Sequence, residues 1–362
     1  MTEVLPSLDE LLQKLHSVGG SDLHLKVGSP PAYRIDGALH LSNLPKLRPE
    51  NTSEILLDII PERFRVEFEN TGEIDFAYGR SNIGRFRVNA YRQRGSINLV
   101  LRAVAPVSES FDELGLPEQV ARLANESHGL LVVAGPAGSG KTTTLGSILD
   151  RINSTRRANI ITIEDPIEVL HPDKMSIVSQ REVGVDTDSF ASGMSRVLRA
   201  DPDVVYIGEL RDRETVEAAL RAAETGTLIL TTINAVDAID TVTRIVEFFE
   251  PSQQPQMRSI LGSSLRGVIA QRLVPRADGK GRIPAVEVLA NTERAYQRIV
   301  DLDKTHTLLE LMIEGEYYGM QAFDGSILKL YQVGAISFQD AMTYATNPSD
   351  FKLAAQRMGL AT

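Results

Sequence analysis

Hydrophobic and polar positions follow two different rhythms along this chain. Up to residue 103 the apolar residues alternate or cluster briefly. Leu8 to Leu15 has amphipathic helical spacing, with Ser7 as a candidate cap and Glu10 three residues on. Ser21 to Val27 alternates like a strand, and Pro30-Pro31 ends it. Ala32–Ile35 and Leu39–Leu41 flank Asp36-Gly37, which reads as a hairpin turn. Asn51 to Phe68 has helical spacing interrupted at Pro61. Ile74–Tyr78, Gly84–Tyr91 and Ser96–Ala103 read as three more strands. The spacing predicts a small α+β domain over residues 1–103.

Val104 to Ser110 carries a proline and two serines and reads as a linker, 104–110. A helix is expected over Glu118–Asn125. From His128 the rhythm changes to short, wholly apolar runs alternating with amphipathic stretches, the sign of a parallel sheet covered on both faces. The strands expected are Leu130–Ala134, Ile160–Ile163, Val204–Ile207 and Thr227–Thr232. The helices expected are Thr142–Asn153, Phe190–Arg199, Arg213–Thr225 and Ala238–Phe249. Met257, Leu261 and Leu265 read as the buried stripe of a further helix. Gln271–Val274 and Ile283–Leu289 read as a late hairpin. The chain from Thr292 is mainly helical, with a glycine-rich break at Gly315 to Gly325. The expected division is a core over 111–290 and a helical region over 291–362.

Between the first apolar run and its helix stands Gly135-Pro136-Ala137-Gly138-Ser139-Gly140-Lys141-Thr142, followed by Thr143. It matches G-x-x-x-x-G-K-[ST] in the strand-turn-helix context that gives the motif meaning. Gly135, Gly138 and Gly140 let the backbone curl so that N–H groups point inward. The helix N-terminus adds partial positive charge. In this reading Lys141 contacts the β- and γ-phosphates and Thr142 offers its hydroxyl to magnesium.

Two later strands end in acids, as a phosphate-loop enzyme requires at the carboxyl edge of its sheet. Glu164-Asp165 follows one and Gly208-Glu209 the other. Glu209 is expected to orient or activate the attacking water, with Glu164 or Asp165 assisting magnesium. On the Gly84–Tyr91 run, Arg85 and Arg87 share a face while Phe86 and Val88 face the core; Arg92 and Arg94 follow. Four guanidinia in so short a stretch suit a phosphate, but the residues alone favour a solvated sheet face slightly more. Arg196, Arg199, Arg211 and Arg213 form a second group. His128 reads as a strand-entry residue and Phe248-Phe249 as core.

Composition narrows the class. The 362 residues carry a formal charge of −10, which argues against broad nucleic-acid or anionic-membrane binding. With no cysteine, disulfides and thiolate zinc sites are excluded. The opening Met1 to Ser7 does not read as a signal peptide, no apolar run reaches membrane-spanning length, and a cytoplasmic protein is expected.

Further motifs carry a family resemblance. Thr162 to Glu168 resembles the Asp box of secretion ATPases, and Gln180 to Gly184, Leu198 to Asp203 and Gly208 to Asp212 follow at the family's spacing. Ala222 to Gly226, Ser21 to His24, Arg34 to Gly37 and Gly319 to Asp324 narrow it. Nearly the whole chain resembles the type IV pilus retraction ATPases of the PilT type. The resemblance implies a PAS-like N-terminal domain, a RecA-like ATPase domain, ATP with magnesium, and a homo-hexameric ring. It also implies N-terminal arginines that reach the nucleotide, and an inner-membrane pilus platform protein as partner. The ring would lie against the inner face of the cytoplasmic membrane through the pilus machine.

Two family positions differ here. Asn234 and Thr243 stand where the His box carries histidines; if that histidine only senses the γ-phosphate, the uncharged amide of Asn234 suffices, and if its charge matters, turnover falls. Ala295 to Val300 replaces a family segment needed for retraction. A second expectation follows: an accessory nucleotide-binding partner that works with a paralogous pilus ATPase and hydrolyses little itself. A DNA translocase is disfavoured by the acidic balance and the lack of a recognisable nucleic-acid module.

Overall fold

The computed structural model describes residues 5–35, 37–106 and 110–360. They form two compact units: Met1–Pro106 with Glu168–Leu170, and Val107–Ile167 with His171–Thr362.

The first unit begins with α1 (Leu8–Ser17), whose capping box is complete: Ser7 Oγ accepts from Glu10 N, and Glu10 Oε2 accepts from Ser7 N at 2.8 Å. Leu11, Leu12 and Leu15 are its buried stripe. Then come β1 (Asp22–Leu25), β2 (Ala32–Ile35), β3 (Ala38–Leu41), α2 (Pro49–Ile59), α3 (Glu62–Thr71), β4 (Glu73–Arg80), β5 (Gly84–Gln93), β6 (Ser96–Ala103) and the short β7 (Ala105–Pro106). The main sheet is antiparallel, in the order β3-β2-β1-β6-β5-β4. Pro61 starts α3 and Gly72, at φ +79°, stops it. Phe86, Val88 and Ala90 of β5 are buried with α1, as the alternation predicts. At the far end, β3 closes the sheet with all four residues exposed, Leu39 and Leu41 included.

The second unit contains α4 (Glu118–Ala124), β8 (Gly129–Ala134), α5 (Lys141–Thr155), β9 (Asn159–Glu164), β11 (Ile177–Glu182), α6 (Phe190–Val197), β12 (Val204–Ile207), α7 (Arg213–Glu224), β13 (Leu228–Ile233), α8 (Ala238–Glu247), α9 (Gln254–Ser264), β14 (Leu265–Pro275) and β15 (Arg282–Ala290). The intervening β10 (Val169–Leu170) belongs to the first unit and pairs in parallel with β7. Helices α10 (Glu293–Val300), α11 (Leu308–Glu314), α12 (Phe323–Gln332), α13 (Phe338–Tyr344) and α14 (Pro348–Arg357) complete the unit. Its sheet runs β11-β9-β12-β13-β8-β14-β15, parallel except for β15. Alternate residues of each inner strand enter cores on opposite faces. Leu130, Val132 and Ala134 join one, and Leu131 and Val133 the other. That is why these strands read as unbroken apolar runs.

Three readings of the sequence need correction. Leu265 is not in a helix: it closes α9 in extended conformation and starts β14, so the late hairpin begins six residues earlier than the sequence suggests. Its residues are buried on both sides, which hides the strand period. Edge strand β11 was not expected, because its sequence is half polar. Within the expected linker, 104–110, Ala105–Pro106 pair with β10 and the division between the two units falls after Pro106; Val107–Glu109 lie outside the described residues, as does Asp36 of the hairpin turn. The C-terminal break ends early, since α12 starts at Phe323 and contains Gly325.

Removing the Phe86 ring, fully buried under α1, should destabilise the first unit by about 3–5 kcal/mol. Amide exchange of β5 and β6 in Phe86→Ala under native conditions checks this; unchanged protection would contradict the packing described.

Candidate nucleotide site

The parallel register brings four strand ends into one row. Ile163 lies beside Ile207, Ile207 beside Thr231, and Ile233 beside Ala134. Each chain therefore leaves the sheet at the same edge: Glu164 and Asp165 after β9, Glu209 after β12, Asn234 after β13, and the glycine loop after β8. A crevice along the carboxyl ends of parallel strands is where open α/β sheets bind ligands.

The loop is built for close approach. Gly135 has φ +157°, and a Cβ there would lie 2.3 Å from Ser139 Oγ and 2.7 Å from Gln271 O. Gly140 caps α5 in left-handed conformation, and a Cβ there would meet Gln271 Nε2 at 2.7 Å. No side chain caps α5, and its first turn has no acid, so its N-terminal dipole is left uncompensated by the protein. Ser139 Oγ is buried with no protein partner. These features fit a phosphate group. Pro136, Ala137, Gly138 and Thr143 are exposed around the loop, and Thr142 is half-buried as the second residue of α5.

A continuous set of polar contacts runs along the strand ends. Lys141 Nζ donates to Gly135 O at 2.8 Å, Pro136 O at 3.1 Å and Asn234 Oδ1 at 2.9 Å. Asn234 Nδ2 donates to Glu209 Oε1 at 2.5 Å. Glu209 Oε2 accepts from Arg211 Nε at 2.7 Å, and Arg211 Nη1 donates to Asp165 Oδ2 at 2.9 Å. Burial lowers the pKa of Lys141, and the nearby Glu209 opposes that shift. The bond to Glu209 raises the pKa of Arg211, with partial burial opposing. One amide thus bridges a lysine and a carboxylate, giving its oxygen to the cation and its nitrogen to the anion.

The remaining expected residues fall in different places. Glu164 is buried, and its Oε1 accepts from Thr162 Oγ1 at 2.6 Å and Gln180 Nε2 at 3.0 Å. Thr243 bonds Ile239 O within α8 and takes no part in the row. Arg213 stacks on Phe249, while Arg196 and Arg199 are exposed on and just beyond α6, so of that group only Arg211 joins the row. The four N-terminal arginines do not form one cluster. Arg85 and Arg87 share a face of β5, with Arg87 bonded to Glu168 at 3.3 Å. Arg92 has the opposite parity and lies over the Phe68 ring. Arg94, at φ +51°, is spent with Gly95 on the tight β5–β6 turn. His128 bonds Arg266 at the start of β8, as a strand-entry residue.

Sequence reasoning passed over Gln271. This buried β14 side chain donates to Ser139 O at 2.7 Å and accepts from Thr144 Oγ1 at 2.7 Å, tying the phosphate loop to the neighbouring strand. A polar residue within an apolar run was the one available signal.

Residues 3–309 match the family model described as Type II/IV secretion system protein. The chain belongs to that family. It is 39% identical over 345 residues to the type IV pilus ATPase PilU of Pseudomonas aeruginosa, covering 95% of this chain and 90% of that protein. It is 38% identical over 344 residues to the type IV pilus retraction ATPase PilT of the same organism, covering 95% and 99%. The crystal structure of the pilus retraction motor PilT with bound ADP superposes with a TM-score of 0.86 at 42% identity, over 96% of this chain and all of that one. The Legionella pneumophila ATPase DotB shares the fold, with a TM-score of 0.78 at 24% identity, over 97% of this chain and 95% of that one. This secretion ATPase therefore has the family's N-terminal and ATPase domains and stands close to two pilus ATPases. Among the described residues, no helix is long and apolar enough to cross a membrane.

Replacing Gln271 by Leu keeps the volume but strands Ser139 O and the Thr144 hydroxyl. The cost should be about 2 kcal/mol or more of stability, with weaker ADP binding. Thermal unfolding with and without ADP checks both; an unchanged ADP-induced shift would remove Gln271 from the site's support.

Proposed function

We propose that this chain is the ATP-hydrolysing subunit of a hexameric motor that powers type IV pilus retraction. One observation carries the reading: the row Lys141–Asn234–Glu209–Arg211–Asp165 spans the strand ends beside an uncapped phosphate loop. The likeness to PilT and PilU supplies the pilus context, and an inner-membrane platform protein is the partner it suggests.

In this mechanism the loop N–H groups and the α5 N-terminus hold the β- and γ-phosphates, and Lys141 leaves its backbone carbonyls and Asn234 for the phosphate oxygens. Asn234 then presents its amide to the γ-phosphate, and Glu209 accepts a proton from the attacking water. The water oxygen bonds to the γ-phosphorus as the bridging P–O bond to ADP breaks. Arg211 must let go of Glu209 for this to happen, and it then stabilises charge on the transferred group. Magnesium, when bound, would neutralise phosphate charge; Thr142 and Asp165 would hold it, and Glu164, fixed by Thr162 and Gln180, would support that edge. All four N-terminal arginines remain candidates for the nucleotide; Arg87 would leave Glu168 and Arg92 the Phe68 ring to reach it.

The second reading is an accessory subunit that binds nucleotide and works with an active paralogue. Asn234 favours it, because an amide replaces the histidine its family resemblance leads one to expect and cannot become charged.

Glu209→Gln should cut turnover by about 10²-fold or more while ATP binding persists. Normal turnover in that variant would sink the assignment of Glu209. Steady-state assays of the parent, alone and mixed with a PilT-type ATPase, separate the two readings. Turnover by the assembled parent alone supports the motor. Tight binding with turnover only in the mixture, or after Asn234→His, supports the accessory role.

A further inference from the structure

The hydrolytic row occupies one side of the phosphate loop, and a different surface lines the other. The row from Lys141 to Asp165 stands at the ends of β13, β12 and β9. Strand β8, which feeds the loop, lies between β13 and β14. An extended triphosphate with its γ end over the row therefore carries its α-phosphate and nucleoside away from β13, toward β14 and β15.

The surface on that side is shaped by strand parity. Ala270 of β14 lies beside Ala134, the last residue of β8, so Gln271–Pro275 continue past the strand end and run along the loop. Residues two apart on a strand share a face. Gln271, Leu273 and Pro275 share one on β14, and the register sets Val286, Pro284 and Arg282 of β15 beside them. Gln271 shows which way this face points, since its side chain holds Ser139 O at 2.7 Å. Leu273 agrees: its two methyl carbons lie 3.6 and 3.8 Å from the place a Cβ on Gly140 would take. Beyond Gln271 the face is a half-exposed apolar shelf of Leu273, Pro275 and Pro284. These side chains have no donor or acceptor, so they offer contact to the flat face of a base and none to its edge.

One cation borders the shelf. Arg282 is exposed, and its Nη1 lies 3.5 Å from Gly138 O, at the outer limit of a hydrogen bond. Among the described residues it forms no ion pair. Its neighbour in the turn, Arg276, is instead fixed on Asp278, with Nη2 donating to Oδ2 at 2.8 Å. A guanidinium that reaches the loop and is held there by one long contact exchanges it readily for a phosphate oxygen.

We propose that the β14–β15 hairpin is the nucleoside end of the site, with Leu273, Pro275 and Pro284 against the base and ribose and Arg282 on the α-phosphate. The proposal rests on the nucleotide reading of the loop and the row. It makes Arg282 a binding residue for ADP and ATP alike, because both carry the α-phosphate.

Two measurements on the full chain test it. In calorimetric titration with Mg-ADP, Arg282→Ala should weaken binding by about tenfold or more, and Arg282→Lys should fall between that variant and the parent. Thermal unfolding without nucleotide should be the same in all three, since the side chain is exposed. Unchanged ADP affinity in Arg282→Ala overturns the role of the arginine. The second measurement uses the parent alone, and so decides even if a variant fails to fold. Photolabelling with 2-azido-ADP, followed by peptide mass mapping, should place adducts within residues 273–284 and lose them when excess ADP competes. Label confined to other segments overturns the shelf. A parent that neither binds Mg-ADP nor takes up any label overturns the underlying nucleotide reading instead, and is distinguished by the absence of binding altogether.

Discussion

Ile163, Ile207 and Thr231 lie side by side on three adjacent parallel strands, and that register fixes where each chain leaves the sheet. A slip of one strand by a single residue would turn its apolar set to the opposite face and carry its terminal polar group away from the others. The burial of β8, β9, β12 and β13 on both faces forbids such slips, since every residue of β8 and β13 is in one core or the other or between them. The chemistry at the edge inherits its precision from this packing. Lys141 can meet Asn234, and Asn234 can meet Glu209, because the hydrophobic strands beneath them are locked in step.

The row is also balanced in charge: Lys141 and Arg211 stand against Glu209 and Asp165, with a neutral amide between the pairs. Contacts of this kind are strong when partly buried, and each is exchanged for another when a more highly charged group enters. In the proposed mechanism a triphosphate upsets the balance in one direction, drawing the lysine off and leaving the carboxylate to find a new donor. Asn234 holds both ends of that exchange. An imidazole at this position would offer the same two hydrogen-bonding sites but could add a charge, so the asparagine makes the exchange independent of proton uptake at this residue.

Local rules carried much of this structure into the sequence. Ser7 and Glu10 announced the first helix because their capping contacts span three residues, and the phosphate loop was legible because its glycines, lysine and following helix are contiguous. Where a feature depends on partners far away in the chain, the sequence was silent. Gln271 meets Ser139 across 132 residues, and nothing near it marks it as a support for the loop. Leu265 reads as helix because a strand buried on both faces loses its alternation. The arginines of β5 looked like one cluster when counted along the chain; strand parity divides them, and the two-residue turn consumes Arg94. Glu164 and Asp165 are neighbours, yet one turns into the core toward Thr162 and Gln180 while the other faces solvent and Arg211.

At the opposite extreme from these buried strands is β3, the outermost strand of the first unit, with Leu39 and Leu41 turned to solvent. Such a border has free peptide groups along one side and greasy side chains on its faces, the two ingredients that let strands from separate molecules adhere. Adhesion of a dilute, unassembled chain to another copy would therefore find a template in this four-residue margin that the well-packed interior does not offer. Loss from solution at that margin would leave the folded cores intact, so a preparation could dwindle while every spectroscopic sign of native structure in the remaining material stayed the same.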